Sequence, residues 1–162
     1  IKDHINLIKA IDLLVKEGIN DIVLKLIGIG ELLDFCKQYV KENNLAEYIY
    51  FEKERNHSEL NIFYNQLDLF VLPSYYEALG CVYFEAWATN IPVISIEGQG
   101  FAELVEEDEK NNLLAQKISP ESLKEKIFGE YTRKRKFPFN EMYDIKNTIS
   151  VFINSSFFRN ND

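Results

Sequence analysis

Residues 69–103 constrain the fold more than any other part of this sequence. A short apolar run at residues 69–72 ends at Pro73, as expected for a buried strand. Apolar side chains then recur at helical spacing over residues 82–89, and a second apolar run covers residues 93–96. Strand, loop, helix and strand within about 30 residues form a βαβ unit.

The same alternation continues on both sides of this unit. Further strands are predicted at residues 22–27, 48–51 and 113–114, and further helices at residues 5–15, 31–42, 58–66, 101–107, from 119 onward, and in the tail at 140–158. This order predicts an α/β fold, a Rossmann-like three-layer arrangement in which a parallel sheet has helices on both faces. Such a sheet normally begins with a strand, whereas this pattern begins with a helix. We therefore expect the first strand to be missing and to lie upstream of residue 1, and residues 1–162 to form a single domain.

Composition narrows the class of protein. Hydrophobic residues make up 46% of the chain, enough for a globular core, and the net charge of −8 argues against nucleic-acid binding. No apolar run approaches the roughly 18 residues of a membrane span, and no secretory signal is recognised. Two cysteines do not form a disulfide framework. A cytoplasmic location is therefore expected, with peripheral association at the inner membrane face left open for the longer protein.

Two glutamates and a glycine indicate a binding site in the central unit. Glu77 lies in the loop after the first strand and Glu85 lies in the helix, with seven residues between them. Ligands of open α/β sheets bind in a crevice beyond the carboxyl ends of the strands, and the loop allows both carboxylates to face it. Gly80 lies where the helix begins, where backbone N–H groups can bind an anion. Free amides beside carboxylates suit a ligand that is part phosphate and part polyol.

The segment that begins at Pro73 reads P-S-x-x-E-A-L-G-x-x-x-x-E-A-x-A-x-x-x-P-V-I. It resembles the nucleotide-sugar domain of retaining glycosyltransferases of the two-Rossmann (GT-B) type, family 4 or group 1, which is the C-terminal half of that fold. Residues 2–10 are similar to the family's K-G-x-x-x-L-I-x-A segment, and residues 28–30 to its G-x-G turn. Residues 97–105 resemble its G-G-x-x-E-x-V turn, with Gln99 in place of the first glycine. The similarity covers roughly residues 2–127.

The resemblance implies a role for each matching residue. Glu77 corresponds to the family glutamate beside the donor sugar and is the candidate catalytic residue. Glu85 corresponds to the glutamate that binds the ribose hydroxyls, and Lys2 to a lysine that neutralises the donor diphosphate together with an arginine a few residues earlier. No metal and no cofactor are expected. The candidate donor-binding residues are Lys2, Gly28, Gly30, Ala78, Leu79, Gly80 and Glu85.

The implied reaction transfers a sugar from a UDP- or GDP-linked donor to an acceptor hydroxyl with retention of configuration. The acceptor, a carbohydrate or a lipid-linked molecule, would bind to a separate N-terminal domain, so the chain is expected to be a fragment of a two-domain enzyme. The alternative is a non-catalytic module that holds a nucleotide sugar in a regulatory role. A sugar-nucleotide epimerase shares the architecture, but Glu77-Ala-Leu-Gly80 with the second glutamate fits the transferases better.

Other chemistry-bearing residues have plainer interpretations. His4 and His57 have no neighbours at metal-ligand spacing and are predicted to lie on the surface. The acidic run at residues 106–109 is predicted to be a solvated loop rather than a cation site. The basic run at residues 133–136 is predicted to be a solvated connection, with contact to an anionic lipid surface or an acidic acceptor as the alternative.

Overall fold

Strands and helices alternate along residues 2–140, the part of the chain that this computed structural model describes, the side chain of His57 excepted. The strands are β1 (Leu24–Ile27), β2 (Ile49–Glu52), β3 (Phe70–Val71), β4 (Val93–Ile96) and β5 (Leu114–Ala115). The helices are α1 (His4–Lys16), α2 (Leu33–Glu42), α3 (His57–Tyr64), α4 (Cys81–Trp87), α5 (Lys110–Leu113) and α6 (Pro120–Arg133), with a 3-10 helix at Gly100–Leu104. The tail helix predicted up to residue 158 lies outside the described residues.

All strand pairs are parallel, so the predicted α/β class with helices on both sides of the sheets is confirmed. β1 pairs with β2, Leu24 opposite Ile49. β4 lies between β3 and β5, with Phe70 opposite Val93 and Ser95 opposite Leu114. All four residues of β4 are buried, as expected for a strand covered on both faces, and β5 lies at the sheet edge.

A cleft of about 900 Å³ lies between β1 of one sheet and β3 of the other. Its walls include both strands, apolar side chains of α1 such as Leu7 and Ile11, and Lys2. Neither Glu77 nor Glu85 lines this cleft, so it differs from the ligand crevice that the sequence pattern predicts. The strand expected before α1 stays a prediction.

Local signals explain most helix ends. α6 begins where expected, because the Ser119 hydroxyl accepts a hydrogen bond from the Ser122 N–H at 3.1 Å. Gly18 follows α1 with φ +93°, a left-handed conformation that glycine adopts without strain. α3 begins at residue 57, one residue before the predicted start at residue 58. The Glu59 carboxylate accepts from the backbone N–H of Asn56 at 3.0 Å, forming a capping box with that residue.

Two aromatic residues of α4 pack into the core and form hydrogen bonds with neighbouring segments. Tyr83 is fully buried, stacks on Phe101 with ring centroids 4.6 Å apart, and donates its hydroxyl hydrogen bond to the Leu72 carbonyl at 3.0 Å. Trp87 is also buried, and its indole N–H donates to the Pro138 carbonyl at 3.0 Å. α4 is therefore held at both ends.

The two arginines of the basic run at residues 133–136 form ion pairs. The Arg135 guanidinium donates to both oxygens of Glu109 at 2.6 and 2.7 Å and to the Glu130 carboxylate at 2.9 Å. Arg133 donates to Glu130 at 3.0 Å and to Asn112 at 2.8 Å. Arg133, Lys134 and Lys136 are exposed, so the prediction of a solvated connection holds for them and is wrong for Arg135, which is partly buried. In the acidic run, residues 106–108 are exposed as predicted, and the prediction is wrong for Glu109.

Three further sequence expectations concern the surface. Cys36 is buried and Cys81 is exposed, and both are free thiols. His4 is only half-exposed, and burial lowers the pKa of its imidazole. Among the helices of residues 2–140, none is long and apolar enough to cross a bilayer.

Candidate functional site

The loop between β3 and α4 is braced by the turn that follows β4. The backbone N–H of Glu77 donates to the side-chain oxygen of Gln99 at 2.8 Å, and the Gly100 N–H donates to the Glu77 carbonyl at 3.3 Å. A Cβ atom on Gly100 would lie 1.4 Å from the Ala78 carbonyl oxygen, so no residue other than glycine fits there without moving the loop. The loop conformation thus depends on contacts more than 20 residues away in sequence.

The candidate phosphate-binding lysine and the candidate catalytic glutamate lie side by side. The Lys2 ammonium is 2.8 Å from Oε2 of Glu77, although the two residues are 75 positions apart. The Glu77 side chain is 20% exposed and that of Lys2 is 51% exposed, so a ligand can approach the pair from solvent. Without a ligand, the two charges neutralise each other.

Three consecutive backbone N–H groups next to this pair are free. Within residues 2–140, the N–H groups of Ala78, Leu79 and Gly80 donate to no backbone or side-chain acceptor. Gly80 adopts φ +66° immediately before α4, a conformation that glycine tolerates best. A Cβ on it would lie 2.9 Å from the Tyr83 ring, so a larger residue would also clash there. The loop offers unpaired donors at the place where the sequence predicts anion binding.

Glu85 lies one helical turn further along α4, with a partner of its own. Its Oε2 accepts a hydrogen bond from the Tyr64 hydroxyl at 3.1 Å, and the side chain is partly exposed. Burial raises the pKa of the Tyr64 phenol, and the neighbouring Glu85 carboxylate raises it further. The phenol therefore stays protonated and donates, while the carboxylate accepts.

Within residues 2–140, Gly28 and Gly30 form no hydrogen bond with the β3–α4 loop. Gly28 follows β1 with φ +120°, and its N–H donates to the Glu52 carbonyl at 3.2 Å, which extends the β1–β2 ladder. The Gly30 carbonyl accepts from the Leu33 N–H at 3.0 Å in the turn that starts α2. Neither glycine forms a hydrogen bond with Lys2 or with the two glutamates, so their assignment to the donor site stays a prediction.

Two residues of this site were not singled out from the sequence. The family pattern has a glycine at position 99, where this chain has Gln99. This substitution is the sequence feature that could have indicated a side-chain contact with the loop. Tyr64 is the last residue of α3, and nothing in the sequence around it points to Glu85. Groups of three or more His, Cys, Asp or Glu side chains arranged to hold a metal ion are not found within residues 2–140.

The fold is a Rossmann-like α/β domain of the kind found in the C-terminal domains of GT-B glycosyltransferases. The model of the family described as "Glycosyl transferases group 1" matches residues 1–128. The chain belongs to this family.

Relatives of known sequence or structure agree with this membership. An uncharacterized glycosyltransferase of Methanocaldococcus jannaschii is 37% identical over 121 residues, which is 74% of this chain and 34% of that relative. The C-terminal domain of a group 1 glycosyl transferase from Francisella tularensis superposes with a TM-score of 0.69 at 25% identity, over 83% of this chain and 75% of that one. HepE of Anabaena, solved in complex with UDP-glucose, gives a TM-score of 0.69 at 21% identity, over 93% of this chain and 41% of that one. The chain thus spans about a third of the length of the archaeal relative.

Proposed function

We propose that this chain is the donor-binding domain of a retaining, metal-independent glycosyltransferase that takes its sugar from a nucleotide diphosphate. The observation that carries the proposal is the meeting of Lys2, Glu77 and the free N–H groups of residues 78–80 at one solvent-accessible loop. A nucleotide sugar is complementary to this arrangement, because it joins an anionic diphosphate to a polyhydroxylated ring. The UDP-glucose held by the similar fold of HepE supports a UDP-linked donor, with a GDP-linked donor as the alternative.

In this proposal the ligand rearranges an existing ion pair. The diphosphate carries more negative charge than Glu77, so it competes for the Lys2 ammonium and is bound also by the amides of residues 78–80. Glu77, released from Lys2, accepts hydrogen bonds from the sugar hydroxyls. Glu85 accepts from the ribose hydroxyls, and Gly28 and Gly30 allow the backbone to approach the nucleotide.

During transfer, the acceptor oxygen forms a bond to the anomeric carbon on the face that the diphosphate leaves, while the bond between that carbon and the diphosphate breaks. The proton of the acceptor hydroxyl passes to the departing phosphate oxygen. The electron pair of the broken bond goes to the phosphate oxygen, and its charge is stabilised by Lys2 and the preorganised amides. The acceptor, a carbohydrate or a lipid-linked molecule, would bind to a part of the longer protein outside this chain. A full-length protein that binds the donor but never transfers the sugar would support the regulatory-module alternative instead.

Titration of the chain with UDP, GDP and UDP-glucose, followed by NMR, tests donor binding. We expect dissociation constants of about 1 mM, because the exposed site is screened by water and holds few fixed charges. The affinity should fall at high salt and should not change when EDTA is added. The absence of any nucleotide binding would overturn the proposal, and binding that EDTA abolishes and manganese restores would contradict metal independence.

Glu77→Gln separates sugar binding from phosphate binding. We expect UDP to bind the variant at least as well as the unsubstituted chain, because Lys2 no longer has a carboxylate partner. UDP-glucose should no longer bind more tightly than UDP. Turnover by the full-length protein should fall by about tenfold or more, since a charge-assisted hydrogen bond is lost. Glu107→Gln, which removes the same charge from an exposed side chain, is the control. A large loss of UDP affinity in Glu77→Gln would contradict the role assigned to Glu77.

A further inference from the structure

Tyr64 connects α3 to the candidate ribose-binding carboxylate. It is the last residue of α3, which packs against α4, and it is only 4% exposed. Its hydroxyl donates to Oε2 of Glu85 at 3.1 Å across 21 positions of sequence.

The surroundings of Tyr64 hold its ring in one place. Phe70 of β3 meets the ring edge-on, with centroids 5.7 Å apart and an interplanar angle of 80°, and Phe63 lies against it at 5.9 Å. A ring packed between aromatic neighbours cannot swing its hydroxyl away from Glu85 without opening the core. The direction of the hydrogen bond is thus set by packing, and the direction of the carboxylate follows from it.

The bond also leaves the carboxylate free to accept from a ligand. A carboxylate offers about four lone-pair sites, and Tyr64 occupies one of them at Oε2. Within residues 2–140, Oε1 of Glu85 accepts no hydrogen bond. Two neighbouring hydroxyls on one ring can therefore each donate to Glu85 while Tyr64 keeps its orientation.

We propose that Tyr64 is a positioning residue that orients the Glu85 carboxylate for recognition of a vicinal diol, the 2′- and 3′-hydroxyls of the nucleotide ribose. This inference rests on the proposed function, which places the ribose at Glu85. Without the phenol, Glu85 stays on α4 but samples several rotamers, and ligand binding must then order it. The competing view is that the bond merely satisfies a buried phenol and has no effect on ligands.

Two nucleotides that differ only at the ribose distinguish these views. The chain and a Tyr64→Phe variant are titrated with UDP and with 2′,3′-dideoxy-UDP. The variant should bind UDP about fivefold more weakly, since one hydrogen bond that orients Glu85 is lost, and should bind the dideoxy nucleotide as the unsubstituted chain does. A purely structural role would weaken the binding of both nucleotides equally, or of neither, and either result would overturn the inference.

A matched control is available elsewhere in the fold. The Tyr39 hydroxyl donates to the Asp12 carboxylate at 3.2 Å, the same chemistry between α2 and α1. Tyr39→Phe should leave the ratio of UDP to dideoxy-UDP affinity unchanged. Replacing Tyr64 with 3-fluorotyrosine, which keeps the hydroxyl, should preserve the preference for UDP even if Tyr64→Phe folds poorly, and its failure to do so would count against the proposal.

The unsubstituted chain tests the proposed function separately. If it binds UDP and dideoxy-UDP equally well, the ribose role of Glu85 fails, and the role of Tyr64 fails with it. If it prefers UDP but Tyr64→Phe retains the full preference, the proposed function stands and only the positioning role is refuted.

Discussion

Arg135→Met is expected to lower the free energy of unfolding by about 3 kcal/mol. The Glu130 side chain is only 2% exposed, and the Arg135 guanidinium donates to it and, through two hydrogen bonds, to Glu109. Methionine keeps much of the length of the arginine but leaves a buried carboxylate whose remaining side-chain partner among residues 2–140 is Arg133, with a side chain that is 42% exposed. Urea unfolding of the variant and of the unsubstituted chain measures the difference.

The pH dependence of this loss follows from Glu109. Its pKa is lowered from 4.5 to about 2, first by its hydrogen bonds with Arg135. A lowered folded-state pKa contributes stability that is fully present above the unfolded pKa and is lost as the pH falls towards the folded one. The difference between Arg135→Met and the unsubstituted chain should therefore be full above about pH 5 and should shrink between about pH 4.5 and 2.

Two further variants show whether the buried charge causes the loss. Glu130→Gln combined with Arg135→Met should recover part of the stability, because it removes the unpaired buried charge. Arg133→Gln should cost less than about 1 kcal/mol, since that arginine is more exposed. Equal losses in Arg133→Gln and Arg135→Met would contradict the importance assigned to the bidentate contact with Glu109.

Glu85→Ala is expected to weaken UDP binding by tenfold or more. Charge-assisted hydrogen bonds of the kind that a carboxylate makes with ribose hydroxyls contribute about 1.5–3 kcal/mol. The fold should tolerate the change, because the side chain is partly exposed and its described contact is the Tyr64 hydroxyl. UDP titration followed by NMR measures the change in affinity, and a thermal melt checks folding.

Glu125→Ala provides the matched control for this prediction, because Glu125 is an exposed glutamate in the middle of another helix, α6. It should leave UDP affinity unchanged, which separates a loss of net negative charge from a loss of a specific contact. Unchanged UDP affinity in a folded Glu85→Ala variant would refute the ribose assignment.

Much of the fold could be predicted because its signals are local. The apolar runs before Pro73 and at residues 93–96, the glycine before α4 and the serine before Pro120 each act through neighbours a few residues away. The exceptions are also local: α3 begins one residue before Ser58, because the capping box uses Asn56 and Glu59. The order and type of the secondary-structure elements follow from these local signals.

Contacts between distant residues could not be predicted in the same way. The pairing of Lys2 with Glu77 was not anticipated, even though each residue was a candidate on its own. The pairing of Arg135 with Glu109 overturned the solvated interpretation of these two residues. An exposed and a paired arginine look identical in sequence, because pairing depends on how helices pack.

The sequence by itself determined the alternation of strands and helices and the two glutamates that bracket the start of α4, since short-range backbone preferences and apolar periodicity decide these features. Only the tertiary structure decided how the glutamates are held: Gln99 accepts from the backbone of Glu77, and Tyr64 donates to the carboxylate of Glu85. Each of these bonds joins residues more than 20 positions apart, from elements that meet only when the chain packs. The orientation of a binding group is a property of that packing, and no local pattern encodes it.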